Sequence, residues 1–272
     1  MTEGNKYKNN FIKLSKKILS DNRYKDKLPY AYNIPLIDNK NFEEGYINAS
    51  MMNGGPSEKD KNLFIATQGP LKKTIEKFWK LVIQKGIPLI VMLCQVKEDL
   101  RVKCEIYWPE SEEEQIIIES MDMVIKLTKE TEIYDGLIKR EFKLYKDQKE
   151  IREITQIQMK NWPDHNIPKD KTGLRIIIDF IDKVKSFGNI IIHCSAGSGR
   201  TGCLIAIYNI YQCFILLKQI NEELQRNIKP FFSVFNICRK LREQRQGMIS
   251  NYQQYKFVYE YSAELAKDLF FN

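Results

Sequence analysis

The run Ile190-Ile191-Ile192-His193 feeds a glycine-rich turn, Cys194–Arg200, and then a long apolar stretch, Thr201–Lys218. That order leaves little choice of fold. It predicts a buried strand turning tightly into a long core helix, with Cys194–Arg200 lying at the helix N-terminus. There the unpaired amides point outward and the helix dipole is positive, which favours a bound anion or a thiolate. Cys194 sits in that field.

A free thiol with a pKa of about 8.5 is only a few per cent ionised at neutral pH, and lowering it by about three units needs roughly 4 kcal/mol. A helix terminus supplies at most about 2 kcal/mol, so further donors must act. The sequence offers them. Gly197 and Gly199 let successive amides turn inward, Arg200 adds a fixed charge, and the Thr201 hydroxyl is within reach of the sulfur. These residues alone point to a cysteine nucleophile facing an oxyanion. The plainer reading, a buried structural cysteine, is the better one for an arbitrary cysteine in a strand-to-helix turn.

His193-Cys194-Ser195-Ala196-Gly197-Ser198-Gly199-Arg200-Thr201-Gly202 resembles the signature loop of the phosphotyrosine-specific protein tyrosine phosphatases. Other His-Cys-x5-Arg phosphatases share its core, so the rest of the chain decides the branch. The length of 272 residues suits one large domain or two small ones. Its 29% charged and 43% hydrophobic residues are a globular balance. The formal charge of +8 would draw anionic partners such as phosphorylated or acidic peptides. No dense Lys/Arg block with interleaved aromatics supports nucleic-acid binding.

The six cysteines form no CxxC pair, and His165 and His193 are the only histidines, so no metal-ligand cluster is expected. Cysteines scattered on apolar segments suggest reduced, buried thiols and hence the cytoplasm. The first residues carry no apolar signal core. Cys203–Leu217, interrupted by Asn209 and Gln212, is too short to span a bilayer and reads as a core helix, so no membrane segment is expected.

Asn10–Leu19 has an amphipathic helical pattern, and Asn22–Tyr30 reads as a polar loop closed by Pro29. Gly45–Ser50 and Phe64–Pro70 read as strand ends and turns, and Asn53–Lys61 as a surface loop. Thr74–Lys85 and Lys171–Phe187 show helical periods ending at Gly86 and Gly188. Between these helices lie a buried strand, Ile87–Val96, and a predicted antiparallel meander from Gln115 to Met159. Its runs are Ile116–Glu119, Val124–Leu127, Phe142–Tyr145 and Thr155–Met159. Lys97-Glu98-Asp99 would ordinarily be a solvated turn, and Asn161–Pro168 an ordinary rigid one. Ser233–Arg245 reads as a further helix after the Asn227–Pro230 connection.

The resemblance extends over roughly residues 10 to 268 and assigns roles. Tyr24 matches the aromatic wall of a phosphotyrosine-recognition loop, and Asp26 the residue that binds substrate backbone amides. Beyond Pro29-Tyr30 the family's usual Asp and Arg are Ala31 and Ile34. Trp162-Pro163-Asp164 is similar to the family's mobile lid with its general acid, Asn166 replacing the usual glycine. By register with Lys-Cys-x-x-Tyr-Trp-Pro, Glu98 holds the signature arginine and Lys103 lines the acid loop. Where the family reads Gln-Thr-x-x-Gln-Tyr-x-Phe this chain has Ser250-Asn251-Tyr252-Gln253-Gln254-Tyr255-Lys256-Phe257. It keeps the second glutamine as Gln254 and replaces the first, used by resembling enzymes to position the hydrolytic water, with Ser250.

What the resemblance implies is a single α/β domain over residues 1–272, a highly twisted mixed β-sheet flanked by α-helices, in the cysteine phosphatase fold. The implied activity is hydrolysis of phosphotyrosine in proteins through a cysteinyl phosphate, without cofactor or metal and inhibited by phosphate-like oxyanions. Cys194 would attack, Asp164 would protonate the leaving group, and Arg200 with the Ser195, Ala196, Gly197, Ser198 and Gly199 amides would bind the phosphoryl oxygens. His193, Thr201, Glu98, Lys103 and Trp162 would support them. Two rivals stand beside this. A dual-specificity phosphatase would lack the long Tyr24 loop, and a phosphotyrosine-binding module would have a crippled site.

Overall fold

The computed structural model describes residues 16–38, 42–57 and 60–271. In chain order they form α1 (Lys16–Ser20), α2 (Phe42–Gly45), β1 (Ala49–Met52), β2 (Phe64–Thr67), α3 (Ile75–Gln84), β3 (Leu89–Met92), β4 (Lys97–Glu98), β5 (Arg101–Val102) and β6 (Gln115–Ile118). There follow β7 (Met123–Tyr134), β8 (Leu137–Lys146), β9 (Lys149–Met159), α4 (Thr172–Val184), β10 (Ile190–His193), α5 (Gly199–Leu224), α6 (Val234–Gln244) and α7 (Tyr252–Phe270). Residues 10–15 of the predicted first helix lie outside the described residues.

Eight strands make one mixed sheet in the order β1-β2-β10-β3-β9-β8-β7-β6, and β4 pairs with β5 in a separate hairpin. β2, β10, β3 and β9 run parallel, β1 is antiparallel at one side, and β8, β7 and β6 form the antiparallel meander at the other. β2, β3 and β10 are buried at every position, as strands covered on both faces must be. His193 stands level with Thr67 on one side and Met92 on the other. The carboxyl ends of four parallel strands therefore open at one edge, the ordinary place for a site in such sheets.

The meander strands are longer than the sequence runs suggest. β7 turns Met123, Ile125 and Leu127 inward and then continues through polar residues to Tyr134. Hairpin pairing with β8 holds that outer half, so its cause is backbone hydrogen bonding and not burial. β8 and β9 meet in a two-residue turn with Asp147 and Gln148 both at positive φ, the twist that suits a hairpin.

α3 and α4 each bury one face, through Phe78, Trp79 and Val82 and through Leu174, Ile177 and Ile181. α5 differs. From Arg200 to Ile207 it is buried all round, and it packs against α6 and α7, so it is the central core helix. It is also the one helix among the described residues long and apolar enough to cross a membrane. Ser233 and Asn251 cap α6 and α7, their side chains accepting from the amides of Asn236 and Gln254. α7 has no counterpart among the sequence-predicted helices: it buries Phe257, Val258, Tyr261 and Leu265 along one face, but Tyr252 and Tyr259 put apolar rings on the solvent side as well and blur the period.

Candidate active site

The Cys194–Ser198 loop leaves β10 and enters α5, and its shape is dictated by where its carbonyls go. Cys194 O faces His193 Nδ1 (3.2 Å), Ser195 O accepts from Gly69 N (2.9 Å), and Ser198 O accepts from Gly202 N (2.8 Å) and Ile249 N (3.2 Å). Arg245 takes the other two, donating from Nη2 to Ala196 O (3.0 Å) and from Nε to Gly197 O (2.7 Å). With every carbonyl drawn outward, the peptide planes leave their N–H groups facing the centre. Gly197 has φ 67°, and a Cβ there would lie 2.0 Å from Thr67 O, so no other residue fits.

Cys194 is buried at the floor of this loop. Burial alone would push its thiol up. The Arg200 charge, the Thr201 hydroxyl and the amides of Thr201 and Ser198 outweigh that and hold it below its ordinary value. The Thr201 hydroxyl has no other hydrogen-bond partner. Neighbouring His193 is wholly buried, which depresses its pKa to about 4 and keeps it neutral. Gln156 Nε2 donates to Tyr107 Oη (2.6 Å), leaving that hydroxyl to donate to His193 Nε2 (2.8 Å). The ring proton therefore sits on Nδ1 and points at Cys194 O.

Arg200 is 1% exposed and links the other groups. Its Nη1 donates to Glu98 Oε1 (2.6 Å) and to Trp162 O (2.9 Å), and its Nη2 to Asp164 Oδ1 (3.1 Å). Glu98 lies in β4, not in a solvated turn, and also accepts from Gln95 N (3.0 Å). Lys103 Nζ lies 2.5 Å from Asp164 Oδ2. Burial opposes ionisation of Asp164, but Lys103, Arg200 and His165 together hold its carboxyl below the usual range.

The segment carrying Asp164 follows β9 and folds over the loop. Trp162 is fully buried, its ring edge-on to Phe257, and its indole donates to Asn166 O (2.9 Å). His165 takes a positive φ of 54°, and its carbonyl accepts from Asn251 Nδ2 (2.9 Å). Opposite this lid, Tyr24 Oη lies 2.9 Å from Ser195 Oγ. Asp26 is exposed at the rim beside Lys27. The cleft they enclose measures about 620 Å³ and is lined by Tyr24, Asp26, Lys103, Asp164, Cys194, Ser195, Ala196, Ser198, Gly199, Arg200 and Gln254, among others.

Gln254 is buried, its Oε1 accepts from Ser250 N (2.9 Å), and both ends of its amide stand against Gly199 of the loop. The Ser250 hydroxyl also lies against Gly199 and donates to Gly247 O (3.2 Å). Gln253 is exposed. Arg245 had no role in the sequence reading beyond closing the predicted Ser233–Arg245 helix. Buried at 2%, it also donates to Asn48 Oδ1 (2.7 Å) and Ser50 Oγ (3.2 Å). Arg23 fixes the Tyr24 loop from Nε to Gly69 O (3.1 Å) and from Nη2 to Pro70 O (2.8 Å). Among the described residues no cluster of His, Cys, Asp or Glu has the arrangement of a metal site.

This fold and this constellation are those of a cysteine-dependent phosphatase. The sequence model described as protein-tyrosine phosphatase matches residues 18–264, and the chain belongs to that family. Tyrosine-protein phosphatase 2 of Dictyostelium discoideum is 38% identical over 216 residues, which are 79% of this chain and 53% of that protein. Mouse tyrosine-protein phosphatase non-receptor type 18 is 35% identical over 249 residues, 90% of this chain and 51% of that protein. The chain thus spans about half the length of these two relatives. Protein-tyrosine-phosphatase PTP1 of Arabidopsis thaliana is 33% identical over 265 residues, covering 96% of this chain and 74% of that protein. The solved catalytic domain of human non-receptor type 18 superposes with a TM-score of 0.80 at 30% identity, over 94% of this chain and 88% of that one. A structure of PTPN18 in complex with HER2 phosphopeptides gives 0.77 at 30% identity, over 91% and 81%.

Proposed function

We propose that this chain is a protein-tyrosine phosphatase, acting as one catalytic domain on phosphotyrosine in proteins. The observation that carries the reading is the placing of Arg200. One buried guanidinium, backed by Glu98, lowers the Cys194 thiol and bonds the Asp164 carboxylate. A tyrosine wall at Tyr24 stands beside the residue following the cysteine, at a depth suited to an aryl phosphate.

The steps follow from these contacts. The Cys194 thiolate attacks phosphorus and the bond from phosphorus to the aryl oxygen breaks, with Arg200 and the inward amides neutralising the equatorial oxygens. Asp164 must deliver a proton to the leaving phenolate, although Lys103 and Arg200 favour its ionised form. A phosphoryl dianion resolves the conflict: it takes the Nη2 face of Arg200 and sets a negative charge beside the carboxyl, raising its pKa. Substrate thereby loads the acid. Asp164 then takes a proton from water, water oxygen attacks phosphorus, and the sulfur–phosphorus bond breaks to return the thiolate and release phosphate.

A phosphopeptide screen with Cys194→Ser as control tests the reading. Steady phosphate release from phosphotyrosine peptides, abolished in the variant, is expected. Equal turnover of phosphothreonine peptides would favour the dual-specificity rival, and binding without turnover the binding module. An intracellular setting, and within it the cytoplasm, suits six free cysteines and relatives named non-receptor phosphatases.

A further inference from the structure

We propose that Asn251 is a positioning residue that latches the lid over the loop, and that it acts through Asp164. The proposal rests on the reading of Asp164 as the acid. The Asn251 side-chain amide is spent at both ends. Its Oδ1 accepts from Gln254 N (2.9 Å) and caps α7, while its Nδ2 donates to His165 O (2.9 Å). The two contacts fix the orientation of the amide, because only oxygen can accept from the helix and only nitrogen can donate to a carbonyl.

The contact falls where the lid most needs one. His165 directly follows Asp164 and sits at positive φ, a conformation that costs energy for a residue with a side chain unless neighbours hold it. At its base the lid is held by Asn161 Nδ2, which donates to Asp135 O (3.2 Å) and Oδ2 (3.0 Å), but the contacts beside Asp164 run through charged groups at the reaction centre: Arg200 to Trp162 O and Asp164, and Lys103 to Asp164. A phosphoryl group competes for those cations. Asn251 is not among the residues lining the cleft, so a phosphoryl group does not compete for its bond, which keeps the Asp164 backbone in register while the lid is closed. It also ties the lid to the start of α7, where Ser250 and Gln254 line the same cleft. The family's usual threonine at this position would cap the helix equally well, but its accepting and donating roles fall on one oxygen, one bond nearer the backbone than Asn251 Nδ2.

The test compares Asn251→Ser and Asn251→Asp, both good helix caps that lack the amide donor, with Asp164→Ala, on two aryl phosphates. Phenyl phosphate needs its leaving oxygen protonated, whereas 2,4-dinitrophenyl phosphate does not. We expect both Asn251 variants to lose about two- to tenfold, the worth of one hydrogen bond, in kcat/KM on phenyl phosphate, which reports only the steps up to loss of the phenol and not breakdown of the phosphoenzyme. The thermal midpoint and kcat/KM on dinitrophenyl phosphate should stay near those of the unaltered protein. Equal losses on both substrates, a loss that tracks a fallen midpoint, or unchanged kinetics would overturn the proposal. If Asp164→Ala discriminates between the substrates and the Asn251 variants do not, the latch alone falls. If Asp164→Ala does not discriminate either, the acid assignment falls and takes the latch with it.

Discussion

Replacing Arg245 with methionine should damage both stability and turnover, although this residue does not touch the reacting atoms. The buried guanidinium donates four hydrogen bonds, at 2.7 to 3.2 Å, to Gly197 O, Ala196 O, Asn48 Oδ1 and Ser50 Oγ. A hydrogen bond to a charged group contributes about 1.5–3 kcal/mol, but bonds sharing one group do not add. Its four acceptors are all neutral, and a buried acceptor left unsatisfied costs about 1–3 kcal/mol, so we take about 3–5 kcal/mol for the whole change. For a chain of this size it corresponds to a fall of roughly 6–20 °C in the thermal midpoint. The freed Ala196 and Gly197 carbonyls also release the peptide planes that aim the next amides, and one misaimed oxyanion donor costs about 10²–10³ in rate. Arg245→Lys separates field from geometry. Its ammonium keeps a positive charge near Cys194 but cannot span all four acceptors. The lysine variant should therefore keep a reactive thiolate below neutral pH while losing turnover, and the methionine variant should lose both. The assays are thermal denaturation, kcat/KM on a phosphotyrosine peptide and the pH profile of iodoacetamide alkylation. A methionine variant with an unchanged midpoint and unchanged kcat/KM would refute the reasoning.

Cys194 should be alkylated well below pH 7 and be protected by phosphate or vanadate, since Arg200 and the loop donors lower its thiol; reaction only above about pH 8, like a free thiol, removes it as nucleophile. His193 refuses a proton down to about pH 4 in the folded chain, whereas unfolded histidine accepts one near 6.5. Its contribution to stability is complete above that range and falls by about 3 kcal/mol as pH drops through it, so denaturant titrations of the protein and of His193→Gln should diverge between these limits. Tyr24→Ala should raise KM for phosphotyrosine peptides more than it lowers kcat, and unchanged peptide kinetics would remove the ring from substrate contact. With the short Ser250 hydroxyl donating to Gly247 O and Gln254 Oε1 already accepting from Ser250 N, breakdown of the phosphoenzyme should lag its formation. Rapid mixing with para-nitrophenyl phosphate should then give a burst near one equivalent of enzyme and Ser250→Gln a faster steady rate; neither effect appearing would mean the missing glutamine is not limiting.

What the sequence made legible was local. The strand, turn and helix around Cys194 are contiguous, so their hydrophobic pattern and glycines carry the geometry without long-range information. Glu98 and Lys103 were reachable through a motif register, but nothing in the residues 97–99 distinguishes a buried carboxylate from a solvated one. Tyr107 lay in a quoted motif and Arg245 at the end of a predicted helix, and neither had a role, because their partners, His193 and Gly197, are distant in sequence. The outer half of β7 was invisible for another reason: it is exposed and held by hairpin hydrogen bonding, which leaves no hydrophobic trace. α7 was hidden by the tyrosines on its solvent side, which blur its apolar period.

Tyr24 meets Ser195 across 171 positions, Glu98 meets Arg200 across 102, and Asn48 meets Arg245 across 197. A chain emerging from the ribosome reaches the cysteine before Arg245 has been made. Until the carbonyls of residues 196 and 197 find that guanidinium, the loop around Cys194 has no anchor for the two peptide planes at its centre. The groups that ionise the sulfur, from Ser198 to Thr201, are made within a few residues of it, but the shape that aims them waits on a partner nearly fifty positions further on. Such non-local closure is slow to form, so the finished loop belongs to the last steps of folding and not to the strand and helix that flank it.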